Sequence, residues 1–337
     1  MDIKETLFKL SNASGIGTVT FAASIAEALL KEYANNVTRE GLTVTGLLKG
    51  ENDYTILLDA HIDEVGMVVT DVSENGFLTV SKCGGIDLRH LPAKAVTVHG
   101  KSDIPAVFVS TPPHLSKSDE VPADITDCKI DTGLGSAAKE NISVGDFVTW
   151  RTTAATLCGD TVCGKAFDNR ASVACLLEVA ARLKGKKLPC NVMFLFSDAE
   201  ELGLRGARTA AFKTDADEAV IIDVSFGDAP DIPPTQCGKL GGGGMIGISP
   251  VLNGDITKAI TNIAEQNSIP YQREVMGGTT GTNADVITLT KGGIKSGLIS
   301  IPLRNMHTDI ETVKLSDMLS VCDMLEQYIL SGGALNA

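Results

Sequence analysis

The chain has 337 residues, of which 42 are acidic and 29 are basic, so its formal net charge is −13. This balance argues against a nucleic-acid partner, because phosphate binding needs clustered positive charge. No run of about 18 apolar residues occurs, and no basic segment precedes an apolar run at the start, so we expect neither a membrane partner nor a secretory signal. Eight scattered cysteines suit free thiols in a reducing compartment, and we therefore expect a cytoplasmic protein.

The predicted elements change in character along the chain. An amphipathic helix over residues 18–33 and a strand over 54–60 come first. Short alternating runs separated by Gly, Asp and Pro then fill residues 64–160 and predict a small all-β unit. After residue 160, apolar strands are predicted at 190–196, 219–223, 271–275 and 296–301. The helices between and after them are predicted at 171–184, 255–267 and 311–330.

Alternation of helices with apolar strands is typical of an α/β sheet that is covered by helices on both faces. We therefore predict a discontinuous, mixed-sheet α/β/α domain formed by residues 1–63 and 161–337. A small β-barrel-like domain is predicted to be inserted into it over residues 64–160.

Histidines and carboxylates gather where the predicted strands end. His61 and Asp63 follow the first strand, and residues two apart on a strand face the same side. His61 could therefore bind a metal ion while Asp63 orients its imidazole, although a polar turn would explain the pair as well. Asp168 lies at a predicted helix start, where it could cap the helix or bridge two metal ions.

Two adjacent glutamates, Glu200 and Glu201, follow the apolar run CNVMFLF. A metallohydrolase needs one carboxylate to bind the metal and another to take a proton from the attacking water, although a solvated helix start is the alternative. Asp223 ends an apolar strand, where ligands gather in open α/β sheets, and His307 follows the strand SGLISIP. The remaining histidines lie in the predicted β unit and are interpreted as structural: His90, His99 and His114.

Together these segments offer two histidines and three carboxylates as ligands plus one free glutamate, the set needed for two zinc-like ions that share a bridging carboxylate. In chain order the motifs are His-x-Asp, GKxFDNR, EE-x-G-x-RGA, an Asp after an apolar strand, and MHT-x-x-E. They resemble the motifs of the dinuclear metalloaminopeptidases, the family of glutamyl aminopeptidase, deblocking aminopeptidase and the tetrahedral (TET) aminopeptidases. The resemblance runs from about residue 5 to 330.

The resemblance implies a metallopeptidase domain that binds two divalent ions, with zinc, cobalt and manganese as the candidates. The implied ligands are His61 and Asp223 for one ion, Glu201 and His307 for the other, and Asp168 as the bridge. The implied catalytic residues are Glu200 as general base and Asp63 as the partner of His61. The resemblance also implies a substrate pocket that includes Gly281, Thr282 and Asn283.

We therefore predict a metal-dependent aminopeptidase that hydrolyses the N-terminal residue of short peptides. The family implies a homo-oligomer, often a dodecamer, whose subunits meet through the inserted domain, although the insertion could equally support a dimer. A two-metal deacylase or carboxypeptidase is the alternative, distinguished by its action on blocked substrates. A glycosidase that uses Glu200 and Glu201 fits poorly, because its carboxylates must flank the sugar at about 5–9 Å. A catalytically inactive shell protein fits poorly because all the ligand positions are filled.

Overall fold

The structure is a computed structural model that describes residues 1–112, 114–115, 122 and 124–336. Within these residues the α-helices are α1 (Ile3–Asn12), α2 (Phe21–Leu30), α3 (Ala138–Asn141), α4 (Phe167–Leu183), α5 (Arg205–Lys213), α6 (Gly254–Gln266), α7 (Ala284–Ile287) and α8 (Leu315–Leu330). The β-strands are β1 (Gly15–Ile16), β2 (Val19–Thr20), β3 (Asn35–Glu40), β4 (Thr43–Leu48), β5 (Thr55–His61), β6 (Gly66–Val72), β7 (Phe77–Cys83), β8 (Ala95–His99), β9 (Asp103–Phe108), β10 (Ile130–Asp131), β11 (Phe147–Trp150), β12 (Ala155–Thr156), β13 (Thr161–Gly164), β14 (Asn191–Ser197), β15 (Glu218–Phe226), β16 (Gly244–Ile248), β17 (Tyr271–Val275), β18 (Lys295–Leu303) and β19 (Glu311–Lys314). Every helix in this part of the chain is too short or too polar to span a lipid bilayer.

The largest sheet has eight strands in the order β17-β16-β18-β15-β5-β14-β4-β3. Strands β18, β15, β5 and β14 run parallel to one another, whereas β16 and β4 pair with them in the antiparallel sense. Neighbouring residues of β5 point to opposite faces, so Leu58 joins the apolar core under α4 and α8 while Leu57 joins the core under α5 and α7. A mixed sheet between two helical layers confirms the predicted fold class.

The other large β structure is a closed barrel with the strand order β10-β7-β6-β11-β8-β9. Strand β9 alternates strictly between exposed and buried residues. The inward side chains of the barrel form a core of their own that includes Trp150. The barrel strands lie between β5 and β13 in the chain, so segments before and after them build the large sheet. The predicted domain boundaries and the role of the insertion in oligomerisation stay predictions.

Two predicted helices were too long. The first begins at Phe21 rather than residue 18, because Val19 pairs with Ile16 in a short antiparallel ladder. The last begins at Leu315 rather than residue 311, because residues 311–314 form β19 and pair with β13. β-branched Thr312 and Val313 favour this strand, and Val313 is fully buried in it.

A buried charge cluster joins the start of α4 to the segment that follows β5. Glu64 accepts hydrogen bonds from Lys165 Nζ at 2.6 Å, from Arg170 Nη2 at 3.0 Å and from the Gly15 N–H at 2.9 Å. The three charged side chains are at most 2% exposed. Burial lowers the pKa of Lys165 to about 8, although Glu64 opposes this shift. The cluster therefore holds the backbone next to His61 in place through ion pairs that are shielded from solvent.

We expect Glu64→Gln to lower the free energy of unfolding by about 3–5 kcal/mol, because it leaves two buried cations without their carboxylate. Urea unfolding at fixed protein concentration measures the change. Glu40→Gln is the matched control: Glu40 accepts from Lys213 Nζ at 2.7 Å, but in an exposed pair that should add no measurable stability. Equal effects of the two substitutions would contradict the prediction.

Candidate metal centre and active site

Three of the predicted site segments meet at one edge of the large sheet. His61 ends β5, Glu200 and Glu201 follow β14, and Asp223 lies near the end of β15. Ser197, the last residue of β14, pairs with His61, so the parallel register brings the two strand ends level. The carboxyl ends of neighbouring parallel strands are where open α/β sheets bind ligands.

Asp168 reaches the same edge from the non-helical turn at the start of α4, and His307 reaches it from the loop after β18. Asp168 Oδ1 lies 3.0 Å from His61 Nε2, and Asp168 Oδ2 lies 3.3 Å from His307 Nε2. Each oxygen of this carboxylate therefore faces one imidazole. Asp168 does not act as a helix cap: the N-cap position of α4 is Ala166, where no side-chain capping bond forms.

Each histidine also has a second carboxylate beside it. Asp223 Oδ1 and His61 Nε2 are 3.9 Å apart, and Glu201 Oε1 and His307 Nε2 are 3.3 Å apart. The cluster thus consists of two halves that share Asp168. The individual ligand assignments stay predictions.

Asp63 supports both His61 and the turn that carries the paired glutamates. Its Oδ1 lies 3.3 Å from His61 Nδ1 and accepts the Glu200 N–H at 3.1 Å, while its Oδ2 accepts the Glu201 N–H at 3.3 Å. A carboxylate in this place can orient the imidazole and the turn together. Glu200 Oε2 lies 3.9 Å from His61 Nε2.

Burial and charge together set the acid–base properties of the cluster. Burial raises the pKa of the Glu200 carboxyl to about 7, and the like charges of Glu201 and Asp168 add to the rise while His61 opposes it. At Asp168 burial opposes ionisation, but hydrogen bonds from His307 and His61 outweigh it and lower the pKa of this carboxyl. Burial disfavours charge on His307, yet Asp168 and Glu201 raise its pKa to about 11.

The donor set fits divalent metal ions. The cluster holds five carboxylates, those of Asp63, Asp168, Glu200, Glu201 and Asp223. Within the described residues, their ion pairs are with His61 and His307, so negative charge is in excess. Buried charge of one sign is costly unless cations neutralise it. Donor atoms of His61, Asp168 and Glu201 lie within 4.8 Å of one another, and imidazole nitrogen with carboxylate oxygen suits zinc, cobalt and manganese.

The turn that follows barrel strand β7 lies against the site, and its backbone at Gly84 and Gly85 approaches Glu201 and His307 closely. A Cβ atom on Gly85 would lie 2.8 Å from His307 Nδ1, and one on Gly84 would lie 2.8 Å from Val65 Cγ1 and 3.4 Å from Glu201 Oε2. Both positions therefore need glycine for the barrel to approach so closely. The barrel and the large sheet consequently form the site together.

The three predicted substrate-binding residues differ in how exposed they are to solvent. Gly281 is exposed, whereas Thr282 and Asn283 are buried. Asn283 Nδ2 donates to Asp59 Oδ2 and Ser197 Oγ, both at 2.8 Å. A role in substrate binding stays a prediction for all three residues.

Asp59 is a member of the site that the sequence analysis missed. It lies two residues before His61 on the same face of β5, it is fully buried, and burial raises its pKa to about 6. The signal was available in the sequence, because an acid inside the apolar run YTILLDA is unusual. Its bond to Asn283 ties the 281–284 segment to the strand that carries His61.

The fold and this centre are those of a metallopeptidase, and comparison with known proteins identifies the family. The family profile described as M42 glutamyl aminopeptidase matches residues 43–324. The chain belongs to this family, which confirms the resemblance inferred from the motifs. It is therefore a hydrolase, an aminopeptidase of a metal-dependent family.

Individual relatives agree with this assignment. The glutamyl aminopeptidase of Lactococcus lactis is 28% identical over 86% of this chain and 84% of its own length. A TET aminopeptidase from a marine sediment archaeon of the Thaumarchaeota is 30% identical, with a TM-score of 0.93 over 99% of this chain and 97% of that one. The TET1 peptidase of Pyrococcus horikoshii, which can assemble into a tetrahedron or a large octahedral shell, is 29% identical, with a TM-score of 0.85 over 98% of this chain and 99% of that one.

Proposed function

We propose that this aminopeptidase uses two divalent metal ions, zinc, cobalt or manganese, to remove the N-terminal residue of short peptides. The observation that carries the proposal is the position of Asp168, whose two oxygens face His61 and His307 at 3.0 and 3.3 Å. The proposed ligands are His61 and Asp223 for one ion, Glu201 and His307 for the other, and Asp168 for both.

Proton transfer is assigned to Glu200. When bound, the ions would polarise the scissile carbonyl, hold the free α-amine and lower the pKa of the attacking water. Glu200 accepts a proton from that water and delivers it to the leaving amine. In the metal-free centre, burial raises the pKa of this carboxyl to about 7, so it is a stronger proton acceptor than an exposed glutamate. Asp63 accepts hydrogen bonds from the backbone N–H groups of residues 200 and 201, and it thereby fixes the turn that contains Glu200.

The proposal includes a homo-oligomer in which residues 64–160 form a separate domain that makes the subunit contacts. The segment 64–160 exposes apolar side chains that a partner subunit could cover: Phe77, Val107, Val109, Leu115 and Val144. The Pyrococcus horikoshii relative, which can assemble into a tetrahedron or a large octahedral shell, supports a homo-oligomer. A cytoplasmic location is also part of the proposal, since scattered cysteines suit a reducing compartment.

The function is tested with peptides that carry a free amine and with their N-acetylated twins. The protein is stripped of metal, reloaded with zinc or cobalt, and assayed for release of the first residue. We expect hydrolysis by the reloaded protein alone, and of the free-amine peptides alone. Cleavage of the acetylated twins would favour a deacylase or deblocking activity instead. Bound metal without any cleavage would favour a catalytically inactive shell protein.

A further inference from the structure

Glu311, the last residue of the MHTDIE motif, has no role in the proposed reaction but contacts the backbone of two proposed ligands. Its Oε2 accepts the Asp168 N–H at 2.9 Å, and its Oε1 accepts the His307 N–H at 2.6 Å. The side chain is 1% exposed. Asp168 lies 143 residues before Glu311 in the sequence. A single carboxylate therefore joins two distant loops, namely the non-helical turn that contains Asp168 at the start of α4 and the loop after β18 that contains His307.

Strand pairing brings Glu311 to this position. β19 runs antiparallel to β13, and Glu311 pairs with Gly164, the residue that ends β13. The chain then continues from Gly164 through a short segment to Asp168. On its other side, Glu311 lies four residues after His307. The register therefore places one carboxylate between the two loops, with an oxygen toward each.

Both loops contain residues in the left-handed region of backbone conformation. His307 has φ of 60°, and Ala166, two residues before Asp168, has φ of 55°. Residues other than glycine rarely adopt such angles unless the surrounding structure fixes them. Hydrogen bonds that the neighbouring N–H groups donate to a buried carboxyl group supply such fixation, because leaving a buried N–H group without an acceptor is costly.

We propose that Glu311 is a positioning residue that holds Asp168 and His307 at the separation that two metal ions require. Its two hydrogen bonds to these residues are both accepted from backbone N–H groups, so it acts through their backbone. The inference rests on the proposed metal centre. It predicts that metal affinity depends on Glu311, although Glu311 is not a ligand.

The test compares Glu311→Gln with a matched substitution elsewhere, Asp317→Asn. Asp317 is also 1% exposed and also accepts two backbone N–H groups, those of Gly241 at 2.7 Å and Gly243 at 2.8 Å. The segment that it holds carries none of the proposed ligands. Each amide variant keeps the size of the side chain but retains only one acceptor oxygen, so each loses one of the two bonds.

Isothermal titration of metal-free protein with Zn²⁺ or Co²⁺ gives affinity and stoichiometry, and thermal unfolding of the same samples gives stability. We expect Glu311→Gln to lower metal affinity by about 10–100-fold. Asp317→Asn should lower the unfolding temperature about as much as Glu311→Gln does. It should nevertheless bind metal as the wild type does. At saturating metal, kcat of the Glu311→Gln protein should recover while KM for the peptide stays unchanged.

Unchanged metal affinity in Glu311→Gln would overturn the inference, and so would an equal loss of affinity in Asp317→Asn, which would reveal general loosening of the fold. If Glu311→Gln does not fold, Glu311→Asp decides the matter. It keeps the charge but shortens the reach by one methylene, so weakened metal binding supports the inference and wild-type binding overturns it. A wild-type protein that binds no metal would instead reject the proposed function.

Discussion

Glu200→Gln is expected to lower kcat by about 100- to 10,000-fold, the range typical of losing a general acid–base residue. Glutamine keeps the size of the side chain but cannot accept a proton from water. The fold should be unaffected, because Asp63 bonds to the N–H of residue 200 and not to its side chain. Metal content should also be unaffected, since Glu200 is not among the proposed ligands. Hydrolysis of a free-amine peptide and metal analysis of the same sample measure both quantities.

Asp198→Asn is the matched control for this substitution. Asp198 lies on the same turn as Glu200, and burial similarly raises its pKa, to about 6. It has no proposed role in the reaction, so its substitution should change kcat by much less. A Glu200→Gln protein that stays active would remove Glu200 from the mechanism. Equal losses in the two variants would show that the charge of the turn matters rather than one proton acceptor.

The residues at the strand ends were predictable because the signal is local. An apolar run that ends in a polar side chain marks the carboxyl end of a parallel strand, as at His61, Glu200 and Asp223. Since β14, β5 and β15 are neighbours in the sheet, these ends meet at one edge. The order of the motifs then gave the family, which the comparison confirmed.

Long-range pairing could not be predicted in the same way. Asp168 and His307 meet because β13 pairs with β19. The sequence pattern of residues 311–314, however, predicted the first turn of the last helix and not a strand. The resemblance implied a place in the substrate pocket for Asn283 but not its buried bond to Asp59, which spans 224 residues. β3 is polar and almost wholly exposed, so no apolar pattern indicated the edge of the sheet.

Asp168→Asn is expected to have the other large effect, because Asp168 is the one proposed ligand that both ions share. Asparagine is neutral and has a single carbonyl oxygen, so it cannot face both imidazoles with negatively charged oxygens as Asp168 does. Metal binding should weaken at both sites. Because a bound metal ion contributes several kcal/mol to transition-state stabilisation, kcat/KM should fall by about 1,000-fold or more.

Asp223→Asn separates a shared ligand from an unshared one. Asp223 stands 3.9 Å from His61 Nε2, in the half of the cluster opposite to Glu201 and His307. Its substitution should therefore leave one ion per chain, whereas Asp168→Asn should lower occupancy of both sites, as measured by elemental analysis after dialysis. Two ions retained in the Asp168→Asn protein would contradict the bridge. Loss of the same single ion in both variants would show that Asp168 binds only the ion that Asp223 binds. The other ion would then need a further ligand in place of Asp168.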